Sequence, residues 1–170
     1  MPAKWFEDQP RNRNFLAPSG FKLELDLFPG VDFFSSRVNL PDINVPNAIV
    51  PTPFRNVPII SSGGLDYGDF RVDFIVDEDL SNYIYVWNWI QKNNLAEDYS
   101  DSDVEYSNGR LLILNSNMRE NIIVAFENLF PVSLSDLTFD VADQDVDYLT
   151  ATITFKFVRY TFNNKRMERL

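Results

Sequence analysis

From Leu149 to Phe157 the chain sets Leu149, Ala151, Ile153, Phe155 and Phe157 at every second position, with Thr150, Thr152, Thr154 and Lys156 between them. Side chains of an extended strand point to opposite faces in turn, so a period of two requires a sheet with one face covered and the other wet. The pattern recurs with Phe21, Leu23, Leu25 and Leu27 against Lys22, Glu24 and Asp26, and again with Phe70, Val72, Phe74 and Val76 against Arg71 and Asp73. A chain carrying such runs is committed to a half-buried, largely antiparallel sheet.

The remaining segments fall between these runs. Residues 1–20 mix charge, Asn and Pro without periodicity and end on the turn signal Pro18-Ser19-Gly20, so an N-terminal arm is expected. Pro29-Gly30 predicts a turn joining the first run to a second strand, Val31 to Leu40, as a hairpin. Pro41 to Pro58 holds Pro41, Pro46, Pro51, Pro53 and Pro58, which argues against a regular central strand. The same stretch is greasy, with Leu40 and Pro41 leading into Ile43, Val45, Ile49, Val50, Phe54 and Val57. It reads either as an arm that packs on a neighbouring subunit or as a loop folded over its own core. Ser61 to Gly68 reads as a further loop.

Asp77-Glu78-Asp79 suits a helix start, because carboxylates complement the free N–H groups and the positive dipole end. Leu80, Ile84, Trp87 and Ile90 follow at spacings of four and three, with Tyr83 beside them, and predict a helix over 78–92 that packs by this face. The segment 94–108 is an acidic loop, carrying Glu97, Asp98, Asp101, Asp103 and Glu105. After the hairpin-type dipeptide Asn108-Gly109 come strands at Leu111 to Leu114 and Asn121 to Phe126, turned at Asn115 to Met118. Phe130 to Leu137 reads as a short connection with room for one helical turn, and Tyr148 to Phe162 as one long strand. Asn163 to Leu170 is a basic tail. The expected fold is α+β, mainly antiparallel β: a sandwich or barrel over 21–162 with one flanking helix.

Composition narrows the function. The 170 residues suit one domain, and 45% hydrophobic with 15% aromatic content excludes a disordered chain. With no Cys and no His, thiolate nucleophiles, cysteine-ligated metals, His-based triads and the commonest general base are all missing. A net charge of -10 argues against reading nucleic acid, which needs clustered Lys and Arg. Residues 1–14 show no apolar run after their charges, and no stretch approaches the roughly 20 apolar residues that span a bilayer, so cytoplasmic synthesis and no membrane partner are expected.

The candidate sites for chemistry are weak. Asp143, Asp145 and Asp147 resemble the start of a calcium loop, but Tyr148 stands where Gly is needed and Thr154 where the bidentate Glu should be. A solvated turn explains them. Ser62-Gly63-Gly64 lacks the Lys and the spacing of a phosphate loop. Tyr83, Tyr85, Trp87 and Trp89 could form a sugar-stacking platform, although helical spacing favours packing. The expectation is a non-enzyme with no catalytic residue, no cofactor and no metal, its rival from another class being a carbohydrate-binding β-sandwich module.

Several blocks, in order, resemble one family, the tail tube proteins of T-even-like contractile phages. They are Asn39-Leu40-Pro41; the strand from Asp69 leading into an acidic helix cap at Asp77-Glu78; the helix bearing Trp87 and Trp89; and Asn128-Leu129-Phe130-Pro131-Val132-Ser133-Leu134-Ser135-Asp136-Leu137-Thr138-Phe139-Asp140, followed by the long closing strand. Phe130 stands where that family often has Trp and Ser135 where Gly is common. The resemblance implies a structural virion protein that forms hexameric rings stacked into a tube for DNA ejection, with tail sheath and baseplate or tail-end proteins as partners. It also implies that a loop reaches a neighbouring ring, a role that falls to Pro41 to Pro58 here, while acidic residues keep passing DNA from adhering. Tube-initiating baseplate and tail-end proteins share the domain, as does the type VI secretion tube, so the same residues fit those stations too.

Overall fold

The computed structural model describes residues 14–27, 34–60, 64–95, 104–140, 148–164 and 168–169. Its elements are β1 (Phe21–Leu25), β2 (Ser35–Val38), β3 (Ile43–Asn44), β4 (Asn47–Pro51), β5 (Asn56–Ile60), β6 (Asp66–Tyr67), β7 (Phe70–Ile75), α1 (Ser81–Asn94), β8 (Ser107–Leu114), β9 (Glu120–Leu134), β10 (Thr150–Lys156) and β11 (Arg159–Asn163). Every named strand pairing is antiparallel. The main sheet runs β1-β8-β9-β10-β7-β2, with β11 also against β9. The antiparallel sheet is what the alternating runs call for, and among the described residues one α-helix accompanies it.

The alternation translates directly into burial. Phe70, Val72 and Phe74 of β7 are fully buried while Arg71 is exposed, and Ala151, Ile153 and Phe155 of β10 turn inward while Thr150 and Lys156 turn out. Leu23 and Leu25 of β1, Leu111 of β8, and Val124, Phe126 and Leu129 of β9 complete the core with Val86 and Trp89 of the helix. The sheet folds over on itself: Phe126 and Phe70, on strands that are not neighbours, bring their ring centroids to 4.3 Å. Each such fully buried Phe contributes about 1.5–3 kcal/mol of burial free energy.

The fold-over is made by one ribbon. The first half of β9 lies between β8 and β11, and its second half lies beside β10. Asn128, between the halves, has φ 53, the left-handed conformation that Asn tolerates better than most residues. Across from it the partner chain breaks between β10 and β11, where Val158 N–H donates to Glu127 O at 3.1 Å. Strands that change layers at such kinks are how antiparallel sheets turn corners. The single strand expected over Tyr148 to Phe162 is therefore two, and the connection expected at Phe130 to Leu137 is instead largely strand, with Pro131 inside β9 opposite Phe155.

Two further expectations are corrected. β1 and β2 do not form a hairpin; they end the sheet path on opposite sides, β1 on β8 and β2 on β7. Asn108-Gly109 makes no turn, since both lie inside β8, where a β-carbon on Gly109 would stand 3.0 Å from Leu25 Cδ2 and press that side chain aside. The turn between β8 and β9 does form at Asn115, whose backbone N–H donates to Arg119 O at 2.8 Å and whose side-chain oxygen accepts from Asn117 N–H and Arg119 N–H.

The helix forms where expected but presents another face. Asn82, Val86 and Trp89 are buried, while Ile84 and Trp87 are 48% and 51% exposed and Leu80 and Ile90 are half-buried. Polar bonds override hydrophobicity here. Asn82 Nδ2 donates to Ile75 O at 2.9 Å, its Oδ1 accepts from Asp77 N–H at 3.3 Å, and Trp89 Nε1 donates to Glu105 O at 2.8 Å. The acidic trio does not cap the helix. Leu80 occupies the N-cap with φ 56 and no side-chain bond, and the turn closes through Leu80 N–H to Asp77 O at 3.0 Å. Most of the acidic segment 94–108, Asp143, Asp145, Asp147 and most of the N-terminal arm lie outside the described residues.

Candidate assembly surface

The Pro-rich stretch is neither a loop nor folded over the core. β4 and β5 pair as a hairpin, Asn47 with Ile60 through Pro51 with Asn56. In a two-stranded ribbon alternate residues turn their N–H away from the partner, which lets Pro51 and Pro58 sit in strands at no cost in ladder bonds. The tip is closed by Thr52 N–H to Arg55 O at 3.1 Å, while Arg55 N–H donates to Thr52 Oγ1 at 3.2 Å. Between them Phe54 is 99% exposed.

The base of this arm is held firmly. β3 pairs with β6, and Gly68 N–H donates to Asp42 O at 3.0 Å. Asn39 clamps the chain onto β7: its Nδ2 donates to Asp69 O at 2.9 Å and its Oδ1 accepts from Arg71 N–H. Tyr160 Oη donates to Pro41 O at 3.2 Å. The Tyr67 ring stands 5.5 Å from Phe157 and 5.4 Å from Tyr160, tying β6 to the corner of the main ribbon. Burial, with Tyr67 and Asp42 beside it, pushes the Tyr160 phenol above its ordinary range, so it stays a neutral donor.

Of the residues singled out in sequence, Leu40, Ile43, Val45, Ile49, Val50 and Phe54 are exposed, Val57 is half-buried and Pro41 is buried at the base. Ile59, Ile60 at 84% exposure, and Leu65 extend the same apolar surface. They were legible as apolar residues following Pro58, but fall just beyond the proline cluster that defined the stretch. Arg55 is the one charged residue between Asp42 and Asp66. The arm is thus an apolar ribbon with a single positive charge at its tip.

The outer face of β7 and β10 is polar by contrast. Lys156 Nζ lies 2.7 Å from Asp69 and Arg71 Nη2 lies 3.4 Å from it, and Lys156 above all holds the Asp69 carboxyl below its ordinary range. An open cleft of about 710 Å³ runs over this face, lined by both cations, Thr152, Thr154 and Ser133 among others. Among the described residues no cluster of acidic side chains is arranged to hold a metal ion.

No family model matches the sequence, and no curated protein matches it. Solved structures do match in fold. The chain is similar to one in the cryo-EM structure of the anti-feeding prophage tube-terminating cap, at 16% identity and TM-score 0.68, covering 96% of this chain and 99% of that one. It is similar to a chain of the PVC sheath-tube complex, an extracellular contractile injection system in its extended state, at 15% identity and TM-score 0.66, covering 89% and 93%. A chain of the sixfold-symmetrised anti-feeding prophage baseplate follows at 11% identity and TM-score 0.61, covering 92% and 96%. Identities this low speak for the fold alone: the chain shares its fold with these chains of contractile injection systems.

Proposed function

We propose that this chain is a structural, non-catalytic subunit that joins copies of itself into hexameric rings, stacked as the inner tube of a contractile tail. The observation that carries the reading is the arm of β4 and β5, apolar along its length, exposed, and rigidly held at its base. Monomers rarely leave contiguous apolar surface of this kind open to water. Leu40, Ile43, Val45, Ile49, Val50, Phe54 and Val57 are the proposed inter-subunit contacts, with Ile59 and Ile60; Pro41, singled out with them in the sequence, is buried in its own chain and is not one of them. Sixfold symmetry is supported by the baseplate likeness, and a sheath partner by the sheath-tube likeness. In a tail particle the charge of -10 would keep DNA moving through the lumen without adhering.

A second station on the same structure is a tube-terminating or baseplate protein. It is favoured by the cap likeness, which spans 96% of this chain against 89% for the sheath-tube complex. Size-exclusion chromatography with negative-stain microscopy tests the shared core of both readings. Rings or tubes that grow with concentration are expected, and a monomer at every concentration overturns it. Rings that never stack favour the terminal station.

A further inference from the structure

The ladder of the arm fixes which way its backbone groups point. Thr52 N–H donates to Arg55 O, so that pair is bonded across the ribbon. Bonded and open pairs alternate along an antiparallel ribbon. Val50 with Val57 and Ala48 with Ile59 are therefore bonded, whereas Pro51 with Asn56, Ile49 with Pro58 and Asn47 with Ile60 turn their backbone groups outward. Both prolines of the ribbon fall on outward positions, one on each edge. Pro58 stands in the middle of the β5 edge and leaves Asn56 and Ile60 as separated donors. Pro51, with Pro46 just before the strand, leaves the β4 edge only the donors of Asn47 and Ile49.

These edges have no other guard. β1 and β2, the two ends of the main sheet path, carry Lys22 and Glu24 and Arg37 respectively, and charge blunts an exposed edge against a further strand. β4 and β5 carry no charged residue. The register puts Ile49 and Ile60 on one face and Val50 and Ile59 on the other, all four of them exposed. Uncharged, β-branched windows of about six residues that lack Pro are the ones that stack between chains. Asn47 to Thr52 and Asn56 to Ser61 meet that description except for their single proline each. We infer that Pro51 and Pro58 set how the arm binds: they close its edges to the arm of a second copy and leave its faces to make the contacts.

Val in place of Pro restores an outward N–H and keeps an apolar side chain suited to strands. The full chain, Pro58→Val, the double variant Pro51→Val with Pro58→Val, and Pro58→Lys are incubated with thioflavin T, beside electron microscopy and urea unfolding. The double variant should unfold in one cooperative transition like the parent, yet grow cross-β fibres about tenfold faster or more. Pro58→Lys restores the same N–H with a charge beside it and should stay at the parent's level. A double variant without fibres, a Pro58→Lys chain as fibrous as Pro58→Val, or a double variant that loses cooperative unfolding overturns edge closure. Rings or tubes from the parent beside a fibre-free double variant leave self-assembly standing. Fibres from the double variant beside a parent that stays monomeric overturn self-assembly and leave edge closure standing.

Discussion

Asn82 shows how one polar side chain can set the pose of a helix. It is 3% exposed, and its two bonds satisfy backbone groups at and just past the end of β7, in part-buried surroundings. Replacing it with Ala strands Ile75 O and Asp77 N–H, and Asn82→Ala should lower unfolding free energy by about 1–3 kcal/mol in urea titrations. Asn82→Leu should fare no better, since the backbone partners stay unpaired. Nothing in the sequence marks this residue, because Asn in a helix ordinarily reads as outward. Asp69 behaves differently. Its carboxyl is held below the ordinary 3.8 by Lys156 and then Arg71, so its contribution is present above 3.8 and fades as pH falls through the lowered value. Lys156 is raised above 10.5 by the same pair, and loses its share only as pH rises past that raised value. Asp69→Asn should therefore be mildly less stable than the parent at neutral pH, with the gap closing in acid. The effect is small because the pair is open to solvent.

At the scale of elements, what alternates in sequence was legible and what bends was not. β1, β7 and β10 follow from their period of two, since each keeps one face on the core along its length. The kink at Asn128 and the break before Arg159 escaped because a strand that changes layers swaps which face is inside, and a pattern of fixed period cannot show it. The arm was legible as apolar and Pro-stiffened but not as a hairpin, because edge-tolerant prolines look like strand breakers until the open side of the ribbon is known. The helix face was misplaced for a reason that can be measured. Trp89→Ala should cost about 3–5 kcal/mol in chemical denaturation, as a buried ring leaves a cavity. Trp87→Ala, on the exposed side, should stay within about 0.5 kcal/mol of the parent.

For the whole molecule, fold class and absent histidine and cysteine chemistry were visible in sequence, whereas a cavity beside the helix was not, because it unites Leu27 with residues of the helix and with Glu105, far apart in the chain. The arm is a separate ribbon: among the described residues, β4 and β5 pair with each other and with no other strand. Replacing them with a short Gly-Ser turn should leave the far-ultraviolet dichroism of the remaining sheet intact and produce a monomer by analytical ultracentrifugation; assembly by that variant would show that the arm is not the joint. The β9 ribbon carries a different consequence. Because β9 and its partner pass around the corner with only a kink, a push that tries to slide one half of the sheet past the other is carried along peptide bonds. It loads many rungs of the ladder in shear at once instead of peeling them from an end. Toughness under an axial blow would then reside in chain connectivity, and softening the side chains between the two halves would cost thermal stability long before it cost mechanical strength.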